Sequence, residues 1–261
     1  LLQIADELTA TAGAENHALR LSEKNREIFH IASEIQNIVM QSRMLPIEHV
    51  FSRFTRFVRD YAESAGKAIR LETSGEKTEL DKRVIDEIVK PLTHIIRNSL
   101  DHGIETREER SAVGKNPVGV LKISATQSGS SILITVEDDG RGLSIEKIRQ
   151  KAIEKNLVRA DEAALLSPKE IQEFIFMRGF STKDTADDLS GRGFGMDIVR
   201  ESIERLSGDL SIYSVEGKGT RMVISLPLTL AILSTLTFKV RNDVFALPLT
   251  VIEESLRVLD G

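Results

Sequence analysis

His94-Ile95-Ile96-Arg97-Asn98-Ser99-Leu100-Asp101-His102-Gly103-Ile104-Glu105 closes a helix that the spacing of Ile85, Ile88, Leu92 and Ile96 carries back to about Leu80. Turning 100° per residue from His94, the polar residues His94, Asn98, Asp101 and His102 fall within about a 100° arc, and the apolar set with Ser99 lines the opposite side. One face is therefore built for a core. The other gathers two imidazoles, an amide and a carboxylate, a set that can hold a divalent ion or touch phosphate oxygens, or can be an ordinary solvated face. Zinc is disfavoured, because no third or fourth soft ligand sits at a usual spacing.

Outward from this helix the pieces are short. A strand-like stretch, Ile69 to Leu71, precedes it, and Val120 to Thr126, Ile132 to Val136, Leu210 to Val215 and Thr220 to Leu226 read as strands, the last two joined by Glu216-Gly217-Lys218-Gly219. Helices lie between the two pairs: one after Ser144, one at the capping box Ser167-Pro168-Lys169-Glu170, and one from about Met196 to Leu206. The expected fold is α+β, a mixed or antiparallel sheet covered by helices on one face.

N-terminal to this domain, Ile28, Ile31, Ile35, Ile38 and Leu45, then Val50, Phe54, Phe57 and Tyr61, recur at steps near 3.5, so residues 28–61 read as a long helix kinked at Pro46. Residues 1–26 form a weaker helix, and the two make a hairpin whose apolar seam is buried by self-association or by the chain's own later domain. His30 and His49 lack the surroundings of a phosphoaccepting histidine and read as surface or packing residues. After Pro227, Thr235 to Val240 and Val244 to Leu247 flank an Arg241-Asn242-Asp243 turn, a fragment too small for a core of its own. The domains are thus expected at 1–66 (helical), 67–227 (α+β) and 228–261 (the first strands of a small β domain).

Composition narrows the function classes. The chain has 261 residues, 35 Lys+Arg against 40 Asp+Glu, a net charge of -5 and no cysteine. With no basic excess, nucleic acid is not the expected partner. The lack of thiols rules out a disulfide framework and fits a reducing compartment. No apolar run approaches the ~20 residues that span a bilayer, and no basic-then-apolar leader opens the chain, so membrane insertion is not expected.

Three glycine loops complete the pattern: Asp138-Asp139-Gly140-Arg141-Gly142 after a strand, Gly191-Arg192-Gly193-Phe194-Gly195 before a helix, and Gly217-Lys218-Gly219-Thr220 in a hairpin. Glycine lets backbone approach a ligand closely, and amides at a helix N-terminus hold anionic phosphate. Taken singly, each loop is equally a turn. No GxxxxGK[ST] is present, and the loops do not follow the first strand of a βαβ unit, so the usual nucleotide signatures do not fit.

As an ordered set, these stretches resemble the GHKL ATPases. His94 to Glu105 is similar to their N box in the form carried by CheA-type chemotaxis histidine kinases. Val136 to Leu143 resembles the first glycine box, Ile175 to Lys183 the phenylalanine box, and Ser190 to Asp197 and Gly217 to Thr220 the second and third glycine boxes. Arg43 to Glu48 and Leu226 to Ile232 resemble the family's dimerisation helix and its junction to a regulatory domain. The likeness covers nearly the whole chain. It implies a dimeric four-helix bundle, a GHKL-type α/β sandwich and the start of a CheW-like β-barrel.

The resemblance also implies ATP and Mg²⁺. Asn98 would coordinate the metal, His102 would lie near the γ-phosphate, and Asp138 would accept a hydrogen bond from the adenine amino group. Gly193, Gly195 and Met196 would hold phosphates and Thr220 would support the adenine end. Arg97, Asp101, Gly140, Gly142, Ser181, Thr182, Lys183, Gly191, Arg192 and Phe194 join them as nucleotide-contacting residues, and residues 180–190 would be a lid. His94 stands where gyrase-like and chaperone-like relatives carry a water-activating glutamate, which favours transfer over hydrolysis. Arg178 replaces an expected proline and Phe194 an expected valine.

The partners implied are a second copy of the chain, a histidine phosphotransfer domain on this or another polypeptide, a CheW-like adaptor with a chemoreceptor array, and a response regulator, in a bacterial or archaeal cytoplasm. A nucleotide-binding scaffold and a hydrolytic GHKL clamp are the competing readings.

Overall fold

The computed structural model describes part of residues 24–41, then 42–180, 195–228, 235–241, 243–248 and 252. The chain divides into two compact units, Leu1–Leu45 and Pro46–Gly261. In the first, the described residues from 24 to 39 are helical, and Ile28, Ile31, Ile35 and Ile38 are 63, 49, 57 and 66% exposed. His30 is exposed there beside Glu34, and His49 is exposed in the second unit.

The single helix expected over 28–61 is not what forms. A short extended stretch, β1 (Met44–Pro46), interrupts it, and a new helix, α1 (Glu48–Ser64), begins after Ile47. Proline cannot donate its backbone bond, so the break falls where the sequence places Pro46. The stripe of α1 is buried by its own domain, the second of the two destinations open to it. Val50, Phe51, Phe54 and Val58 are each 2% exposed and belong to the same buried cluster as Ile88, Leu92 and Ile96. A seam read from periodicity shows that a face must be buried, but not against what.

The second unit is built on a five-stranded mixed sheet. Its strands are β2 (Ile69–Ser74), β4 (Gly119–Ser128), β5 (Ser131–Asp138), β7 (Gly219–Pro227) and β6 (Asp209–Val215), in that spatial order. β2 runs parallel to β4, and the other pairs are antiparallel. Period-two alternation sends Leu121, Ile123, Ile132, Ile134, Val136, Leu210, Ile212, Ile224 and Leu226 to one buried face. Asp138 follows the same alternation, so the last inward position of β5 is a carboxylate, 4% exposed, at the rim of an apolar layer.

Helices cover that face. α2 (Lys82–Asn98) follows the short strand β3 (Glu79–Asp81), whose Asp81 carboxylate caps it by accepting from the Arg83 N–H at 2.8 Å. α3 (Arg107–Ala112) starts at a capping box of Thr106 and Glu109, while α4 (Ile145–Glu154), α5 (Ala160–Ala163) and α6 (Pro168–Glu173) fill the span between β5 and β6. The capping box expected at Ser167 and Glu170 is present. α7 (Met196–Arg205) packs on α2 and leads into β6. β8 (Thr235–Val240) and β9 (Asp243–Pro248) form an antiparallel hairpin in which the Phe238 and Phe245 rings stack at 5.7 Å.

Candidate nucleotide site

The end of α2 is not α-helical. Ser99–Gly103 forms a π-helical turn, closed by the Ile104 N–H donating to the Ser99 carbonyl at 2.8 Å. A wider turn rotates the chain less per residue, so a wheel drawn at 100° misplaces whatever follows Ser99. Asp101 accepts a hydrogen bond from the Tyr61 hydroxyl of α1, and the Arg97 guanidinium lies 6.0 Å from the Phe57 ring centre. Burial, with Asp101 as acceptor and neighbouring charge, pushes the Tyr61 phenol up to about 12. The polar stripe is thus divided. Arg97 and Asp101 meet α1, His102 is exposed on the π turn, and His94 and Asn98 remain on the face that α7 approaches.

Lys67 secures the turn from below. Its ammonium donates to the carbonyls of Leu100 at 2.6 Å, Ile104 at 2.7 Å and Asp101 at 3.3 Å, placing a cation where the helix presents unpaired oxygens. The Asn98 amide donates to the Met196 sulfur at 3.0 Å, which sets the end of α2 beside the start of α7. Gly195 is the N-cap of α7 and supplies no side-chain cap; the Ile198 N–H already donates to Asp197 Oδ1 at 2.9 Å, so of the first turn the Met196 and Asp197 amides are the ones placed to meet an anion. Burial and the Arg97 charge hold His94 below the usual histidine range, against the pull of Asp101 and Asp197.

Asp138 is the most constrained group of the site. Its Oδ1 accepts from the Gly140 N–H at 3.0 Å, and the Ser99 hydroxyl and the Thr220 N–H also donate to the carboxylate. Burial raises its pKa above the usual carboxylate range, and these three donors work against that rise. A carboxylate offers about four acceptor positions, so three protein donors leave room for one more from a ligand. An amino group on a purine base fits that vacancy in the hydrogen-bond pattern. The Thr220 hydroxyl shares a hydrogen bond with Ser214 at 2.9 Å, and Ser214 accepts from the Leu143 N–H at 2.8 Å, tying the β6–β7 hairpin to the loop after β5. A cavity of about 470 Å³ lies against β6, β7 and the start of α6, lined by Pro168, Gln172, Tyr213 and Arg221 and reaching Asp138 and Thr220, and is not bordered by Asn98 or Met196.

The glycines of the first box also serve contacts within the protein. At Gly140 a Cβ would stand 2.2 Å from the Gly103 carbonyl oxygen, and at Gly142 2.2 Å from that of Val215. The first glycine box is needed for backbone to pass backbone, which presses the Asp138 loop onto the π turn and the hairpin. Gly140→Ala is expected to lower stability by about 1–3 kcal/mol, the scale of overpacking a site that cannot yield. An unchanged thermal midpoint would contradict that packing.

Ser181, Thr182, Lys183, Gly191, Arg192, Gly193 and Phe194 lie outside the described residues. Of the phenylalanine box, Ile175, Phe176 and Phe180 are buried, and the unexpected Arg178 is exposed, so the missing proline removes no core contact. Sequence reasoning assigned no role to Ser99, Glu105, Arg110, Lys115 or Asp139. The available signal was the doublet Asp138-Asp139, in which only one carboxylate can follow the inward alternation of β5 and the other needs a cation elsewhere.

A buried carboxylate beside a glycine loop, with an amide next to a helix N-terminus, is an arrangement suited to a nucleotide on an α+β scaffold. The chain belongs to the histidine kinase-, DNA gyrase B- and HSP90-like ATPase family, whose model matches residues 87–230. As a member of that family it carries an ATP site, and the resemblance read in its boxes holds. It is 48% identical over 231 residues to the chemotaxis protein CheA of Rhizobium meliloti (strain 1021), covering 88% of this chain and 30% of that protein. To the CheA of Bacillus subtilis (strain 168) it is 44% identical over 235 residues, covering 90% of this chain and 35% of the relative. Among solved structures, the catalytic domain of histidine kinase ThkA matches 72% of this chain and 95% of its own, at 16% identity and a TM-score of 0.45. The chain spans about a third of the length of the curated relatives it matches. Among the described residues no helix is long and apolar enough to cross a membrane.

Proposed function

We propose that the chain is the dimerisation and ATP-binding core of a CheA-type histidine kinase, which transfers the γ-phosphate of ATP to a histidine on a separate phosphotransfer domain. The observation that carries this reading is the juxtaposition of Asn98 with the start of α7 beside a buried, three-donor Asp138. Asp138 reads the adenine amino group, and Thr220 supports that end. Asn98 would hold Mg²⁺, with His102 toward the γ-phosphate and Gly195 and Met196 at the phosphates; Arg97, Asp101, Gly140, Gly142, Ser181 to Lys183 and Gly191 to Phe194 are further proposed contacts of the nucleotide. The metal supplies charge neutralisation for phosphates that would otherwise repel an incoming nucleophile.

His94 favours the kinase over the hydrolytic clamp. It stands where the hydrolytic relatives carry the glutamate that activates water, and phosphoryl transfer calls for positioning and charge neutralisation rather than for such a group. The deciding measurement is transfer of labelled γ-phosphate from Mg²⁺-ATP to an added histidine phosphotransfer domain, comparing the native chain with Asn98→Ala. Transfer dependent on Asn98 is expected; fast ATP turnover without any protein acceptor would favour the clamp.

The domains proposed are a helical hairpin over 1–66, the kinase domain over 67–227 and the start of a CheW-like β domain from 228. Exposure of Ile28, Ile31, Ile35 and Ile38 supports pairing of the helices with a second copy into a four-helix bundle. Light scattering at micromolar concentration is expected to give twice the 29.0 kDa chain mass. A strict monomer would refute the dimer. A CheW-like adaptor, a chemoreceptor array and a response regulator in the cytoplasm complete the proposed setting.

A further inference from the structure

Behind Asp138 lies a group of four charges to which the nucleotide reading gives no task. Arg110 is 1% exposed, and its guanidinium donates to Glu105 at 3.0 Å, to the Asp139 carboxylate at 2.7 Å and to the Asn116 carbonyl at 2.6 Å. Lys115 donates to the other Glu105 oxygen at 2.8 Å. Two cations face two carboxylates, so the group is internally neutral, as a buried cluster must be to persist.

What sets this cluster apart from an ordinary ion-pair network is where its remaining donors go. Arg110 and Lys115 both donate to the Asp139 carbonyl, at 3.3 and 3.0 Å, and Lys115 also donates to the Gly140 carbonyl at 2.7 Å. In a planar trans peptide the carbonyl of one residue and the N–H of the next point in opposite directions. Drawing the Asp139 carbonyl toward the cations therefore aims the Gly140 N–H the other way, at Asp138 Oδ1, which it meets at 3.0 Å. The following peptide behaves alike: Lys115 holds the Gly140 carbonyl while the Arg141 N–H donates to the Gly103 carbonyl at 2.9 Å. Asp139 is fixed from the same side, its free oxygen accepting from the Val120 N–H at 2.8 Å.

We propose that Arg110 and Lys115 are positioning residues that orient the Asp138 carboxylate through the Asp139–Gly140 peptide and so set the preference for a purine bearing an exocyclic amino group. The proposal rests on the reading of Asp138 as the acceptor for that group. Lys115 is the residue to change, because its side chain is 19% exposed and its loss opens toward solvent, whereas Arg110, 1% exposed, is a partner of the buried Glu105 carboxylate and leaves a hole in the interior when removed.

The test is a titration of the native chain, Lys115→Met, Asp138→Asn and the double variant with ATP and with purine riboside triphosphate, which lacks the amino group. The native chain is expected to prefer ATP by about tenfold or more, the scale of one hydrogen bond to a charged group. Lys115→Met is expected to lose most of that preference, by weakening ATP while leaving the amino-free nucleotide within about twofold. It is expected to add nothing further in the Asp138→Asn background, since residues acting through one group do not act additively. Equal weakening of both nucleotides, or an additive loss in the double variant, would overturn the proposal. A native ATP preference retained by Asp138→Asn would instead overturn the base reading beneath it. Should Lys115→Met fail to fold, Lys115→Arg, which keeps the charge and shifts the donors, takes its place with the same two readouts.

Discussion

Asp138→Asn is expected to weaken ATP binding by about 1.5–3 kcal/mol, roughly ten- to a hundredfold, the scale of a hydrogen bond involving a charged group. The substitution is isosteric, and the reason it fails lies in what already surrounds the carboxylate. One oxygen accepts from the Gly140 N–H, and the Ser99 hydroxyl and the Thr220 N–H occupy further acceptor positions. An asparagine that keeps its carbonyl on Gly140 turns its NH₂ toward the base amino group, donor against donor. One that flips leaves the Gly140 N–H facing another donor. Either choice costs a bond in a buried place where water cannot replace it.

The same residue gives the site a pH dependence whose sign follows from burial. Burial raises the free-state pKa of Asp138, and a bound amino group favours the ionised form, so at pH values where the free carboxyl is protonated nucleotide binding is coupled to loss of that proton. ATP affinity is therefore expected to fall as pH is lowered through that pKa, and to lose this component in Asp138→Asn. Calorimetric titration across the acid range checks both statements together; unchanged affinity of the variant at neutral pH would sink the assignment.

Asn98→Ala is expected to lower phosphotransfer by about two orders of magnitude while leaving nucleotide affinity nearly unchanged, because its partner is the metal and the phosphates rather than the base. The fold should tolerate the change. Asn98 is half-buried at the last residue of α2, its amide touches only the Met196 sulfur among the hydrogen bonds described, and the core contacts of α2 come from Ile88, Leu92, Ile95 and Ile96. Alanine is moreover the better helix former. Rates of transfer to a phosphotransfer domain, measured beside equilibrium binding of ATP, separate the two effects. Loss of both to the same extent would mean that Asn98 supports the fold and not the metal.

In the proposed function Asp138 and Asn98 act at opposite ends of one ligand, and both adjoin the π turn. Ser99 from that turn donates to Asp138, Gly103 receives the Gly140 loop, and Lys67 and Tyr61 fasten it from outside. Displacing the turn would move the base-reading and the phosphate-holding groups together, which makes it the mechanical centre of the site.

The sequence by itself determined the α+β class, the strands, the capped helix at Ser167 and the family, because alternation of period two, helical spacing and an ordered set of glycine loops are local patterns that survive without knowledge of contacts. It also singled out Asn98, on a polar helix face shared with His94, Asp101 and His102, and, through the resemblance carried by the glycine loops, Asp138. Only the tertiary structure decided where α1 buries Val50, Phe51, Phe54 and Val58, that the turn after Asn98 widens and sends Asp101 to Tyr61, and that Gly140 and Gly142 make room for backbone. It alone brought Glu105, Arg110, Lys115 and Asp139 together behind the site. Those facts depend on which distant groups meet. A period specifies that a face must be covered or a charge balanced, and the partner that does so is chosen by packing.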